Sequence, residues 1–428
     1  MIGAIADDFT GGTDVAVALR RAGLRTVILF GSVEEGTVLP PHDAVVIALK
    51  TRTVEPADAV QQSIAAARWL QEHGAEVIYF KYCSTFDSTP RGNIGPVADA
   101  LADLLSAARA VVVPSSPEHL RSQYMGHLFV DQQLLSDSPM RHHPLTPMTD
   151  SFIPRVLGTQ TPRRIELIDH RTVRAGRVAL RAELDIKTAT GARYVVIDAV
   201  DDRDLAEIGA ACIDDVLITG AAGLAGGLGA AYAARSGSAQ TRAEADLDLV
   251  GEVPAAVLAG SCSARTLEQI HQMKTEHASF HLDAVTTPDS ASLAAAALAW
   301  FDSLEDETAP LIYSSLPPEE LRRAQEALGR DRASALNEAA MGIIARGLVE
   351  RGIRRLVIAG GETSGSVVTA LKVDGGLIGH EIAPGVPWIY TSDPEPVALL
   401  LKSGNFGDPQ MLNDAVSRTR AQEGGIDR

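Results

Sequence analysis

Short apolar runs that each end in a polar turn, with helix-like stretches between them, leave this chain few architectures to choose from. Ile2 to Ala6, Thr26 to Phe30, Ala44 to Ala48, Val77 to Phe80 and Ala110 to Val113 read as strands; Pro56 to His73 and the stretch from Val97 to Ala107 read as helices. Alternation of this kind marks a parallel sheet with helices on both faces. Arg164 to Ile168, Tyr194 to Ile197 and Val216 to Thr219 add strands, and the pattern restarts at Ala255 to Ala259, Leu356 to Ala359 and Val397 to Leu401. Between the two sets, Arg235 to Gly251 turns polar and reads as a linker. A chain of 428 residues is long for one core. The expected class is α/β, with two three-layer α/β/α domains, mostly parallel sheets and a cleft between them. The expected domains span residues 1–240 and 250–428.

Open α/β sheets bind ligands at the carboxyl ends of their strands, so the turns there carry the functional reading. The densest is Lys81 to Gly95, which holds two cations, a carboxylate, several hydroxyls and an amide between two apolar elements. Such a turn is costly to keep without a polar occupant. Capping explains a few of these residues but not all of them, and a loop for a small polyhydroxylated anion is the better reading. After the first strand come Asp7 and Asp8, then a helix read from Val15 with Thr13 or Asp14 as its cap. Adjacent carboxylates at that strand end suit a metal or a substrate hydroxyl.

In the second half, Gly260-Ser261-Cys262-Ser263, Gly360-Gly361-Glu362-Thr363-Ser364-Gly365 and Lys402-Ser403-Gly404-Asn405-Phe406-Gly407 each follow an apolar strand. They would converge at one edge of one sheet, where exposed N–H groups and hydroxyls cradle phosphates. Glu362 adds a ligand for Mg²⁺ or ribose, or merely an acid favoured by a helix N-terminus. The glycines of Gly220 to Gly227 suit either an anion or close helix packing. Arg141 to Ser151, with His142 and His143, lacks zinc spacing and reads as an irregular loop leading to a helix capped by Asp150 or Ser151. Neither a Walker loop nor a dinucleotide fingerprint occurs, which disfavours a dehydrogenase.

A formal charge of −17 argues against nucleic acid or an anionic membrane as partner. Cys83, Cys212 and Cys262 form no CxxC pair, so a reduced, cytoplasmic chain is expected. The first residues do not read as a signal peptide, and no apolar run is long enough to span a bilayer. Cys83 and Cys262 read as small buried side chains rather than nucleophiles.

Taken together, Ala6 to Gly11, the Lys81 to Gly95 block, Gly260 to Ser263, Gly360 to Gly365 and Lys402 to Gly407 resemble the four-carbon acid sugar kinase family across essentially the whole chain. One branch of that family has Lys-Lys-x-Asp-Ser-Thr-Leu-Arg-Gly-Asn in its central block and acts on threonate or erythronate. The Cys83-Ser84-Thr85-Phe86-Asp87-Ser88-Thr89-Pro90 form is similar instead to the 3-oxo-tetronate kinase branch. Relatives usually carry Gly-Gly-Ser-Gly-Leu where this chain has Gly220 to Leu224, so any hydroxyl contact at Ala222 is absent.

The resemblance implies an amino-terminal substrate domain, a carboxyl-terminal nucleotide domain, and transfer of the γ-phosphoryl group of ATP, with Mg²⁺, to a terminal hydroxyl. Lys81 and Arg91 would hold the acid-sugar carboxylate. Asp7, Ser84, Thr85, Ser88 and Asn93 complete the substrate set, and Asp8 or Asp87 would take the proton, Asp8 being preferred. Ser261, Gly360, Gly361, Glu362, Thr363 and Gly404 would bind ATP. The metal ligands are left open, and the partners expected are the acid sugar and ATP, with room for a homo-oligomer. The rival readings are a threonate or erythronate kinase and a non-catalytic acid-sugar binding protein.

Overall fold

The apolar runs of the first half all pair into one parallel sheet. Its strands are β1 (Ile2–Ala6), β2 (Thr26–Phe30), β3 (Ala44–Ala48), β4 (Val77–Lys81) and β5 (Ala110–Val113), then β9 (Ile165–Ile168), β10 (Tyr194–Ile197) and β11 (Leu217–Gly220). Their order is β2-β3-β1-β4-β11-β5-β10-β9. Three short strands, β6 (Arg121–Tyr124), β7 (His127–Val130) and β8 (Gln133–Leu134), form a separate antiparallel sheet. The computed structural model describes residues 1–34, 36–143, 146–237, 253–304, 309–392 and 395–417. It divides into two compact units, Met1–Asp246 and Leu247–Arg428. Most of the polar stretch read as a linker, residues 238–252, lies outside the described residues, as do Pro144 and Leu145 of the histidine loop.

The helices of this unit fall into two groups. One contains α1 (Phe9–Arg21), α5 (His170–Arg174), α6 (Arg177–Ala189), α7 (Asp202–Ala211) and α8 (Ala222–Ser236); the other contains α2 (Pro56–Glu72), α3 (Ile94–Leu104) and α4 (Ile153–Gly158). Strands covered on both sides can be apolar throughout, and β1, β3, β4 and β5 are buried at every position.

Two helix starts differ from expectation. Helix α1 begins at Phe9, not Val15, so neither Thr13 nor Asp14 caps it. Asp8 does, in an extended conformation, with its side chain accepting from the Gly11 N–H. The Gly11-Gly12 pair reads as a turn, yet it is the helix's first turn. A Cβ on Gly12 would lie 2.5 Å from that of Ala48, and its absence lets α1 sit hard against β3. Helix α4 has Phe152 at its cap position with no side-chain cap. Asp150 instead accepts from the Phe152 N–H and pairs with Arg155.

The second unit is built on β12 (Ala255–Ala259), β13 (Ser279–His281), β14 (Leu311–Tyr313), β15 (Arg355–Ala359), β16 (Gly375–Ala383), β17 (Val386–Thr391) and β18 (Ala398–Lys402). The order is β13-β14-β12-β15-β18-β17-β16, parallel except where β17 runs against β16 and β18. Helices α10 (Ser290–Asp302), α11 (Pro318–Leu328), α12 (Arg330–Glu350) and α13 (Gly361–Leu371) pack together, and α9 (Ala264–Met273) packs on α14 (Met411–Val416). The core around Trp388, Tyr390, Val357 and Leu400 fills the space beneath α9 and α14. No helix among the described residues is long and apolar enough to cross a membrane.

Candidate active site

In the first unit the register of three strands places the site. Ala6 at the end of β1 pairs with Ala48 of β3 and with Lys81 of β4, so the three strands stop level. Their loops therefore leave together and bind one another: Thr51 N–H and Arg52 N–H both donate to the Asp7 carbonyl, and Asp7 N–H donates to the Lys81 carbonyl. This tie brings the Arg52 guanidinium over Asp7 and Asp8. Arg52 Nε donates to Asp7 Oδ2 at 3.0 Å and Nη2 to Asp7 Oδ1 at 2.7 Å. The same Nη2 lies 2.8 Å from Asp8 Oδ1.

Asp7 is buried, and burial pushes its carboxyl pKa up while Arg52 and Lys81 pull it back. Burial also works against the Arg52 charge, but the hydrogen bonds and charges of Asp7 together with Asp8 outweigh it and hold Arg52 above its ordinary value. Two donors of one guanidinium on the two oxygens of one carboxyl is the geometry of an ion pair, and we assign it as such. Asp8 differs from its neighbour: Oδ1 accepts from Gly11 N–H and is ion-paired with Arg52, while 30% of the side chain stays exposed. Lys81 Nζ is buried and donates to the Tyr82 carbonyl. It sits 2.9 Å from where a Gly11 Cβ would be, over the first turn of α1.

The Lys81 to Gly95 block divides by role. Thr85 Oγ1 lies 3.0 Å from Cys83 Sγ and donates to Asp87 Oδ1 at 2.5 Å, so three side chains form one chain. Burial, then the Asp87 charge, raises the Cys83 thiol pKa, which fits a neutral thiol rather than a nucleophile. Phe86, buried with φ of 52°, turns the loop back so that Thr85 and Asp87 stand together. Ser84 is half-buried. Ser88 Oγ accepts from Gln160 Nε2 at 2.7 Å, and the same amide group holds the Thr89 carbonyl, while Gln160 Oε1 takes the Gly95 N–H.

Asn93 is buried, and its Nδ2 donates to the carbonyls of Thr51 and Val54 at 2.7 and 2.9 Å, fastening the loop that carries Arg52. Arg91 is exposed, in the turn after Pro90, with its N–H donating to Thr89 Oγ1. Sequence reading missed Arg52 and Gln160. Neither lies in a motif, and only strand register and loop hydrogen bonds bring them in.

In the second unit the same rule operates with different materials. Ala359 at the end of β15 pairs with Ala259 of β12 and Lys402 of β18, and Ala259 pairs with Tyr313 of β14. The three Gly/Ser/Thr turns follow adjacent strands, as their spacing predicts. A cavity of about 1060 Å³ opens over these ends. Gly260, Ser261, Gly360, Gly361, Glu362 and Thr363 line one side, and Leu282, Leu316 and Leu321 are part of another.

Gly404 takes no part in that lining, but it builds the cavity floor's support. Its carbonyl accepts from Ser263 Oγ at 2.6 Å, Thr266 Oγ1 at 2.8 Å and Lys402 Nζ at 2.9 Å. A Cβ on Gly404 would lie 2.6 Å from Ser261 Oγ. Burial, with the Arg265 charge adding, pushes the Lys402 pKa down to about 8. Cys262 lines the cavity and its sulfur accepts from the Leu316 N–H, a packing role. Glu362 is exposed in the first turn of α13, with Ser334 Oγ donating to it at 3.4 Å. Among the described residues no group of three or more His, Cys, Asp or Glu side chains is placed to hold a metal ion.

Comparison with known proteins agrees with this division. Residues 2–228 match the model of a sugar-binding N-terminal domain, and residues 256–412 match that of a nucleotide-binding C-terminal domain. The chain is 45% identical over 423 residues to a 3-oxo-tetronate kinase of Pseudomonas fluorescens, covering 98% of this chain and 97% of that protein. It is 43% identical over 410 residues to the 3-oxo-tetronate kinase of Salmonella typhimurium, covering 95% and 96%. A solved Haemophilus influenzae protein superposes with a TM-score of 0.86 at 37% identity, covering 96% of this chain and 98% of that one. The chain belongs to the four-carbon acid sugar kinase family, in which it groups with the 3-oxo-tetronate kinases.

Proposed function

We propose that this chain is an ATP-dependent kinase that phosphorylates the C4 hydroxyl of 3-oxo-tetronate, the first unit binding the acid sugar and the second the nucleotide. The observation that carries this reading is identity of 43–45% to 3-oxo-tetronate kinases extending through both units at once. The geometry supports it. The first unit offers carboxylates and fixed cations, the groups that hold hydroxyls and a carboxylate. The second offers a cavity lined by glycine backbone and hydroxyls, by leucines and by charged side chains such as Arg323 and Arg330, suited to phosphates and to a purine face.

Phosphoryl transfer asks the protein chiefly for alignment and charge stabilisation. Asp8, whose Oδ2 has no hydrogen-bond partner among the described residues, accepts the proton of the attacking hydroxyl. That oxygen bonds to the γ-phosphorus as the bond to the β–γ bridging oxygen breaks and ADP leaves. Asp87 is the alternative base, but Thr85 already occupies one of its oxygens. Lys81 and Arg91 supply positive charge for the substrate carboxylate, and Ser84, Thr85 and Ser88 read its oxygens. Asp7 and Asn93 act from behind, through Arg52 and its loop.

Ser261, Gly360, Gly361 and Thr363 cradle the phosphates, with Gly404 leaving room for the Ser261 hydroxyl. Mg²⁺ would come in on ATP with phosphate oxygens as its main ligands, and Glu362, which shares the Ser334 hydroxyl with Glu338 in the cavity lining, is the carboxylate that would add to them. A cytoplasmic location fits the reduced cysteines. Coupled measurement of ADP release with 3-oxo-tetronate, threonate and erythronate tests the reading. Turnover fastest with 3-oxo-tetronate is expected; turnover confined to threonate or erythronate would move the chain to the other branch, and sugar binding without ADP release would make it a binding protein.

A further inference from the structure

The first-unit site contains a residue that no motif announces. Arg52 follows β3 on the loop to α2, and its backbone is doubly anchored. Its N–H donates to the Asp7 carbonyl, and Asn93 Nδ2 donates to the carbonyls on either side, at Thr51 and Val54. The guanidinium is three-quarters buried and spends Nε and Nη2 on Asp7. Nη2 then reaches Asp8 Oδ1, which the Gly11 N–H also occupies. Turning the Asp8 carboxylate would break the capping hydrogen bond from Gly11 and the ion-pair contact with Arg52, both on Oδ1, and Oδ2 is the oxygen left over.

Two adjacent carboxylates repel when both are charged. A single guanidinium between them offsets that repulsion, and its planar fork on Asp7 fixes the orientation as well.

We propose that Arg52 is the positioning residue of the acid-sugar site: by bridging Asp7 Oδ1 and Asp8 Oδ1 it holds the Asp8 carboxylate in place and leaves Oδ2 to the substrate hydroxyl. Asp7 is thus the anchor of Arg52 rather than a substrate ligand. This inference rests on the kinase reading and deepens it. Other titratable groups surround the pair: Lys81 from β4 faces Asp7, Asp14 on α1 faces Asp8 and also His119 and Glu118, and the Cys83 thiol, with Asp87 beside it, faces Arg52. Of these, the structure places only Arg52 within ion-pair distance of both Asp7 and Asp8.

The test compares the full chain with Arg52→Gln, Arg52→Lys and Asp7→Asn, reading kcat and KM for both substrates across pH together with thermal unfolding. In Arg52→Gln the acidic limb of kcat/KM for the acid sugar should move up by about one pH unit or more, because the carboxylate loses its cation. Its KM for ATP should hold. Arg52→Lys keeps a charge but not the fork, so the limb should stay near the parent's while kcat falls about tenfold or more. Asp7→Asn, which frees the guanidinium from its anchor, should lower kcat in the same manner.

A purely structural role would lower activity by the same factor at every pH in step with the folded fraction, and that result overturns the inference. So does a parent-like pH profile in Arg52→Gln. A parent enzyme that releases no ADP with any four-carbon acid sugar overturns the kinase reading and this inference with it; an active parent with unaffected Arg52 variants overturns the inference alone.

Discussion

On the proposed reading, the two units hold an anion at the end of a parallel sheet by opposite means. The first does it with charged side chains: Asp7, Asp8, Arg52 and Lys81 gathered from three loops. The second does it with main chain and hydroxyls: glycine turns after β12, β15 and β18, braced by Ser263, Thr266 and Lys402. A charged site can discriminate between hydroxyl, keto and carboxylate groups by position. A backbone cradle takes any polyphosphate of the right shape and relies on the rest of the cavity for selectivity. The difference also decides which substitutions each tolerates, since a glycine turn fails sterically and a charge cluster fails electrostatically.

The sharpest way to break this contrast is Gly361→Val. A Cβ there meets nothing within 4 Å, so the side chain would project into the cavity rather than into protein. The variant should fold as the parent does and lose ATP binding in calorimetric titration; parent-like affinity would show that the phosphates lie elsewhere. On the charged side, Asp8→Asn should reduce kcat by about 10²–10⁴ with ATP affinity intact. It also keeps the helix cap, because Asn caps nearly as well, so near-normal turnover in rapid kinetics would remove Asp8 as the base and point to Asp87.

Arg91→Lys should raise the acid-sugar KM by about tenfold through loss of the bidentate fork. An unchanged KM would place the carboxylate on Lys81 alone. The smallest effect is expected for Lys402→Met, a few-fold rise in the KM for ATP as the Gly404 turn loosens.

Lys402 also gives the second unit a pH dependence on the alkaline side. Its folded pKa is pushed down to about 8 from an ordinary 10.5. Between those values the unfolded chain holds a proton that the folded chain has lost, so stability rises with pH across that window. Below about 8 both states are charged and the burial penalty is felt in full. Thermal unfolding of the parent should therefore gain on Lys402→Met from pH 8 to 10.5, and parallel curves would show the ammonium to be better hydrated than its burial implies.

How much of this was legible in the sequence followed the same divide. The glycine turns after β12, β15 and β18 were readable because glycine after an apolar run stands out. The charged site was half readable. Asp7, Asp8 and Lys81 sit directly at strand ends, but Arg52 lies four residues beyond β3 in a loop of ordinary composition, and Gln160 lies just past α4. Their roles depend on which strands are neighbours and where they stop, which local pattern does not encode. Gly11 and Gly12 misled for the opposite reason: glycine usually signals a turn, and here it signals a helix pressed against a strand. The antiparallel strands β16 and β17 were passed over because β16 carries glycine and charge through its length.

The matched ends of β1, β3 and β4 also limit how this scaffold can diversify. Lengthening any one of them by a residue would turn its outgoing side chains to the opposite face and tear apart three loops at once. Relatives with other substrate preferences must therefore be reached by rewriting loop residues such as those from Cys83 to Pro90, on strands whose lengths stay locked.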